Sequence, residues 1–336
     1  MMDRVSETAG GRAAPGAAVV DLSYAEAAAL PVRQEMEADP RVVVLGEDVG
    51  RGGIFGQYKG LQQHFGSERV IDTPISEAAI MGAGVGMALA GLRPVVEMRV
   101  VDFALCGMDE LVNQAAKNRF MFGGQGRVPL VARMPGGIWD ASAAQHSQSL
   151  EAWFAHLPGV VVVCPSTPQD NHSLMRAALR CGDPVVYIEH KTLWGTRGPV
   201  DPSLEIPLGQ AARLQRGDAL TLVSWSRQMH ACAAACDTLA AEGIEVDLID
   251  LRTLWPWDRE TVLGSCERTG RLLVVHEAVQ AAGFGAEIAA AAAEATGCRV
   301  ARLGAPRIPV GYAPVLEAQS RVSAVRIAQA ARALRG

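Results

Sequence analysis

Short runs of β-branched and aliphatic residues recur along this chain between alanine-rich segments. Val42–Leu45, Val95–Val101, Val128–Ala132, Val160–Cys164 and Val185–Glu189 are such runs. Helical patterns lie between them over Tyr24–Glu37, Glu77–Ala90, Met108–Arg119 and Pro168–Arg180. A strand that is apolar throughout needs cover on both faces, and crossover helices supply it, so the alternation predicts a parallel sheet layered between helices. Gly195–Leu208, with three prolines and few apolar residues, interrupts the pattern and reads as a linker, residues 196–208. The alternation then resumes on a smaller scale. Strands are expected at Leu220–Trp225, Glu245–Leu251, Leu272–His276 and Val300–Leu303, with helices at His230–Glu242, Asp258–Thr269, Phe284–Ala295 and Arg321–Leu334. The expected fold class is α/β, with two doubly wound domains over residues 19–195 and 209–336. Residues 1–18, rich in Gly, Ala and Pro, read as a flexible tail without the long apolar core of a secretion signal.

Bulk properties narrow the function. A chain of 336 residues is long enough for about two domains with sizeable cores. A net charge of −5 argues against nonspecific nucleic-acid binding, which needs clustered Lys and Arg. No apolar run reaches the roughly 20 residues of a membrane span. The seven cysteines are scattered, odd in number and form no Cys-x-x-Cys pair, which disfavours a zinc ribbon, a disulfide framework or a dithiol redox centre. Cys232 and Cys236 lie one helical turn apart, a spacing open to metal, but in an Ala-rich helix they read as small core residues. A reducing cytoplasm is the expected setting.

The chemistry centres on Val70-Ile-Asp-Thr-Pro-Ile-Ser-Glu-Ala-Ala-Ile80, in which a turn delivers Glu77 to the start of a helix. The run Gly82-Ala-Gly-Val-Gly-Met-Ala-Leu-Ala-Gly91 follows and permits close packing. A first-turn acid also complements the helix dipole, so a purely structural role for Glu77 stands beside a catalytic one. The glycines fall inside the predicted helix, not in the turn after a strand, and their spacing misses the dinucleotide-binding fingerprint. Arg93–Phe103 reads as a strand ending on an aromatic, and a buried aromatic there is ordinarily core. His146 sits in the polar cluster Gln145-His-Ser-Gln148, downstream of Pro135-Gly-Gly137, on a loop that a rigid scaffold can hold near a site.

These segments, with Leu45-Gly-Glu-Asp-Val-Gly50, Ala144–His156, Ile249-Asp-Leu-Arg-Thr-Leu-Trp-Pro256 and Leu272-Leu-Val-Val-His-Glu-Ala278, occur in a fixed order. In that order and spacing the chain resembles the β subunits of the decarboxylating, first component of 2-oxo acid dehydrogenases: those for pyruvate, branched-chain 2-oxo acids and acetoin. The resemblance implies a transketolase-like pyrimidine-binding domain followed by a domain of the transketolase C-terminal type. It implies thiamine diphosphate as cofactor, Glu77 as the acid that activates the aminopyrimidine, and Phe103 as the ring that stacks on it. His146 would orient substrate and assist proton movement during acyl transfer to lipoyl.

Thiamine enzymes hold the diphosphate through Mg²⁺ with a Gly-Asp-Gly motif and a downstream Asn. Here Gly182-Asp183 runs into Pro184 and Gly217-Asp218 into Ala219, so the magnesium end is expected on an α subunit. Further partners implied are the lipoyl acyltransferase core and a small 2-oxo acid, within an assembly of two α and two β chains. A potassium ion held largely by carbonyls is implied at Leu130, Ala178, Cys181 and Asp183, with Cys181 and Asp183 departing from the family pattern. Glu189-His190-Lys191 and Gly123-Gly124-Gln125 resemble acetoin and pyruvate members as much as branched-chain ones, which leaves the substrate open. A non-catalytic assembly subunit is the rival from another class.

Overall fold

The computed structural model describes residues 18–336; the segment read as a tail lies, except for Ala18, outside the described residues. The first half contains β1 (Val20–Ser23), α1 (Tyr24–Ala38), β2 (Val42–Gly46), α2 (Leu61–Phe65), β3 (Val70–Asp72), α3 (Glu77–Leu89) and β4 (Arg93–Glu97). It continues through α4 (Ala116–Met121), β5 (Val131–Arg133), α5 (Glu151–Ala155), β6 (Val161–Val163), α6 (Pro168–Arg180), β7 (Val185–Tyr187) and β8 (Arg197–Val200). The second half comprises β9 (Ala212–Gln215), β10 (Leu220–Ser224), α7 (Gln228–Ala240), β11 (Val246–Asp250), β12 (Thr253–Trp255) and α8 (Arg259–Thr269). After these come β13 (Arg271–Val279), α9 (Gly285–Thr296), β14 (Arg299–Ala305), α10 (Pro314–Ser320) and α11 (Ala324–Arg335).

Both expected parallel sheets are present, each with an antiparallel edge. The larger has the order β12-β6-β7-β5-β4-β2-β3, parallel from β6 to β3, and β12 joins it antiparallel from the second half. The smaller runs β14-β13-β10-β11-β9, with β9 antiparallel. β2, β10 and β11 are buried at every residue; β2 is apolar throughout, whereas β10 buries Thr221 and Ser224 and β11 buries Asp247 and Asp250 among their aliphatic residues. One core cluster runs from Leu45 and Val96 through Phe154 to Trp225, Leu254 and Ile288, so the two halves share apolar contacts.

The segment read as a linker packs on the first half: Arg197–Val200 pairs antiparallel with β1, and Ile206 is buried against the core of the larger sheet. Its prolines stop helix formation without preventing an edge strand. The stretch expected as a helix over Met108–Arg119 is helical throughout and contains a π turn, Glu110–Ala115, running into α4. Two expectations need correction. The strand expected to reach Phe103 ends at Glu97, because Arg99 takes a left-handed conformation (φ 54°), and Phe103 opens a 3₁₀ turn, Phe103–Gly107. The closing helix starts at Ala324, capped by Ser323, whose hydroxyl accepts the Arg326 N–H, and a separate α10 precedes it.

Candidate functional site

The strand order places β3 and β4 on opposite sides of β2, and successive connections diverge there. A crevice at the carboxyl ends of such strands is the usual ligand position in an open α/β sheet. Glu47 and Asp48 follow β2, Glu77 follows β3, the Met98–Phe103 corner follows β4, Gly136 and Gly137 follow β5, and His190 and Lys191 follow β7. The backbone in this region carries Asp48, Arg99, Ala141 and Ala143 at φ 51–61°, a region costly for side chains with a Cβ. Such strain persists only where surrounding contacts enforce it.

Glu77 is the first residue of α3, half-buried, and among the described residues its carboxylate has no hydrogen-bond partner. The glycine-rich helix is held close to the sheet: a Cβ on Gly84 would stand 2.4 Å from Val96 Cγ2. The Phe103 turn seats on the same helix end, since a Cβ on Gly107 would meet the Glu77 carbonyl and Met81 Cβ, each at 3.1 Å. The Phe103 ring meets the His146 imidazole edge to face, 5.3 Å between centroids and 83° between planes. Glu77, Phe103 and His146, far apart in sequence, are thereby gathered at one end of the larger sheet.

Acids missed in the sequence surround them. Glu47 is buried; burial and the Glu77 carboxylate raise its pKa, while Arg99, 3.8 Å away, opposes the rise. Glu97 is fully buried at the end of β4, accepts the Tyr58 hydroxyl at 2.6 Å, and burial pushes it up to about 7. Beneath it Arg133 and Glu189, both wholly buried, pair through Nε at 2.5 Å and Nη2 at 3.0 Å, and Asn171 donates to the same carboxylate at 2.7 Å. Glu277, at the end of β13, reaches across from the second half. It accepts the Ile138 N–H at 2.7 Å, the Ser149 hydroxyl at 3.2 Å and contacts His190 Nε2 at 2.9 Å. Burial would raise its pKa, but the His190 ring, the Ile138 N–H and the Arg227 charge hold it at about 2. The available signal was a polar residue breaking an apolar strand, as in Leu272–Ala278.

The donor set fits the pyrimidine end of thiamine diphosphate: a half-buried carboxylate without a partner, at the helix end on which the turn carrying Phe103 packs. It offers nothing for a magnesium diphosphate. Asp183 is engaged by Arg119 at 2.6 Å and Asp218 by Arg268, and the described residues contain no cluster of three or more metal-binding side chains. At the residues expected to hold potassium, the Leu130 carbonyl accepts the Val185 N–H at 2.9 Å and the Ala178 carbonyl the Cys181 N–H at 3.1 Å. The Cys181 carbonyl accepts Arg93 Nη2 at 3.0 Å. Only the second lone pairs of these carbonyls are free for an ion.

This architecture is that of the transketolase-type proteins. Residues 20–196 match the family described as "Transketolase, pyrimidine binding domain" and residues 209–327 match "Transketolase, C-terminal domain". A solved structure titled "Split gene transketolase, inactive beta4 tetramer" superposes with a TM-score of 0.78 over 94% of this chain and 98% of that one, at 20% identity, which supports the fold. The chain is 42% identical to the β subunit of acetoin:2,6-dichlorophenolindophenol oxidoreductase of Cupriavidus necator, over 90% of this chain and 94% of that one. It is 38% identical to the 2-oxoisovalerate dehydrogenase β subunit of Bacillus subtilis (93% and 98% covered) and 38% identical to the mitochondrial pyruvate dehydrogenase E1 component subunit beta-2 of Oryza sativa subsp. japonica (90% and 83%). The chain belongs to the family of β subunits of the first component of 2-oxo acid and acetoin dehydrogenases. No helix among the described residues is long and apolar enough to cross a membrane, and all seven cysteines are free thiols.

Proposed function

We propose that this chain is the β subunit of a thiamine diphosphate-dependent 2-oxo acid dehydrogenase acting on pyruvate or a branched-chain 2-oxo acid. The reaction is oxidative decarboxylation with transfer of the acyl group to lipoyl. The carrying observation is the convergence of unpartnered Glu77, Phe103 and His146 at the carboxyl ends of the parallel strands. Bound thiamine diphosphate supplies the carbon nucleophile and the electron sink for decarboxylation. Glu77 would hold the cofactor's aminopyrimidine by sharing a proton with it. That hydrogen bond strengthens once a partner chain completes the burial of the half-exposed carboxylate. Phe103 offers its ring to the pyrimidine, and His146 orients the substrate and moves a proton during acyl transfer.

The diphosphate and Mg²⁺ belong to an α subunit, in an assembly of two α and two β chains in the cytoplasm that docks on a lipoyl acyltransferase core. A potassium ion at Leu130, Ala178, Cys181 and Asp183 would draw on the spare carbonyl lone pairs, and no step depends on it. Acetoin cleavage is the second reading, favoured by the 42% identity to the acetoin-oxidising relative. Calorimetry tests the division of labour. The isolated chain is expected to bind thiamine diphosphate negligibly, and its complex with an α partner to bind it in a Mg²⁺-dependent way. Tight binding to the isolated chain would overturn the proposal, and turnover of the complex on pyruvate, branched 2-oxo acids and acetoin would choose among substrates.

A further inference from the structure

The loop that carries His146 has little of its own to hold it. It is a single 3₁₀ turn, Ala144–His146, entered through Ala141 and Ala143 in left-handed conformations, and its side chains are small or polar. Its anchors are polar. Asp102 accepts the Gln148 side-chain amide at 2.9 Å, and the Ser147 hydroxyl lies 3.4 Å from the Trp139 N–H. The third anchor is a lysine. Lys191 follows β7 on the turn Lys191–Leu193 and is only 3% exposed, and its ammonium donates to the backbone carbonyl of His146 itself. The same ammonium lies 5.7 Å from the centre of the Trp139 ring.

Burying a lysine is costly unless the charge is used, and an apolar side chain of similar length would fill the same space. Here the charge faces the Asp102 and Glu277 carboxylates, with His146 and His190 as neighbouring imidazoles and Arg227 beyond Glu277. Asp102 immediately precedes Phe103, and Glu277 ties in the second half of the chain. One cation thus links the His146 loop, the Phe103 corner and the neighbouring sheet.

We propose that Lys191 is the positioning residue for His146: its ammonium fixes the His146 backbone, and so aims the imidazole relative to Phe103 and the substrate. The proposal rests on the reading of His146 as an active-site residue. Burial lowers the Lys191 pKa to about 8, against the pull of Asp102 and Glu277. A neutral amine is a weaker donor than an ammonium, so the tether loosens as pH rises through 8. Stability moves the other way. The unfolded chain binds more protons at this lysine between pH 8 and its ordinary value of 10.5, so its contribution to stability rises with pH in that window. A merely structural lysine would therefore not produce an alkaline loss of activity.

The test uses the complex with its α partner and compares wild type, Lys191→Met, Lys191→Arg, His146→Ala and the double variant His146→Ala/Lys191→Met. Lipoyl-coupled turnover, its pH profile and hydrogen exchange over residues 141–149 are measured. A misplacement of about 1 Å costs roughly 10²-fold, so Lys191→Met is expected to lose roughly 10–100-fold in kcat with a smaller change in KM. The double variant should be no worse than His146→Ala, and exchange over 141–149 should rise in Lys191→Met. Lys191→Arg should restore most of the turnover and move the alkaline limb upward. Losses that multiply in the double variant, or an alkaline limb unmoved in Lys191→Arg, would overturn the proposal. Unchanged exchange in Lys191→Met would overturn it whatever His146→Ala does, whereas wild-type turnover in His146→Ala would remove the reading beneath it.

Discussion

Replacing Glu277 with alanine tests how the two halves are locked beside the site. The carboxylate accepts from Ile138 N at 2.7 Å and the Ser149 hydroxyl at 3.2 Å and meets His190 Nε2 at 2.9 Å, all across the boundary between the halves. Truncation leaves these groups buried without their acceptor, and breaking a buried pair by removing one partner costs about 3–5 kcal/mol. A second route gives a similar size. A folded pKa of about 2, against an ordinary 4.5, corresponds to a stabilisation of about 3 kcal/mol. The depressed carboxyl stabilises the fold above pH 4.5, and that contribution is lost as pH falls from 4.5 toward 2. Urea titration of the assembled enzyme, followed by tryptophan fluorescence, should show Glu277→Ala destabilised by about 3 kcal/mol at pH 7, with the gap to wild type narrowing below pH 4.5. A gap under about 0.5 kcal/mol at pH 7, or one unchanged down to pH 3, would refute the reasoning.

Two further substitutions probe the scaffold around Glu77 and the carbonyl-rich turn. Gly84→Ala forces a methyl to within 2.4 Å of Val96 Cγ2 and should cost about 1–3 kcal/mol, with a matching fall in turnover as α3 is pushed from β4; denaturation and rate assays together check it. Arg93→Ala strips the guanidinium from the Leu179 and Cys181 carbonyls and should lower stability by about 1–3 kcal/mol, measured by the urea midpoint with cofactor-binding affinity little changed.

The layered α/β architecture was legible because its strands are apolar on both faces and its helices are not. Val42–Leu45 and Leu220–Trp225 announce buried central strands by composition alone. β12 was not legible, since Thr253–Trp255 becomes a strand only by pairing with β6 from the other half of the chain. The π turn at Glu110–Ala115 and the left-handed Arg99 likewise answer to packing that no local pattern records. Glu77, Phe103 and His146 could be named through motif and resemblance. Lys191 and Glu277 fall inside quoted motifs and Glu97 inside an expected strand, but their bracing roles were not readable there, because their partners lie 39 to 139 residues away.

The central claim is that Glu77 of this chain activates a cofactor shared with a partner. Turnover of the assembled enzyme carrying Glu77→Gln tests it most directly, because the amide keeps the shape but cannot share the acid proton. The account predicts normal folding and assembly with turnover reduced roughly 10²–10³-fold or more, the scale of one preorganised catalytic hydrogen bond. Turnover within a few-fold of wild type would contradict it.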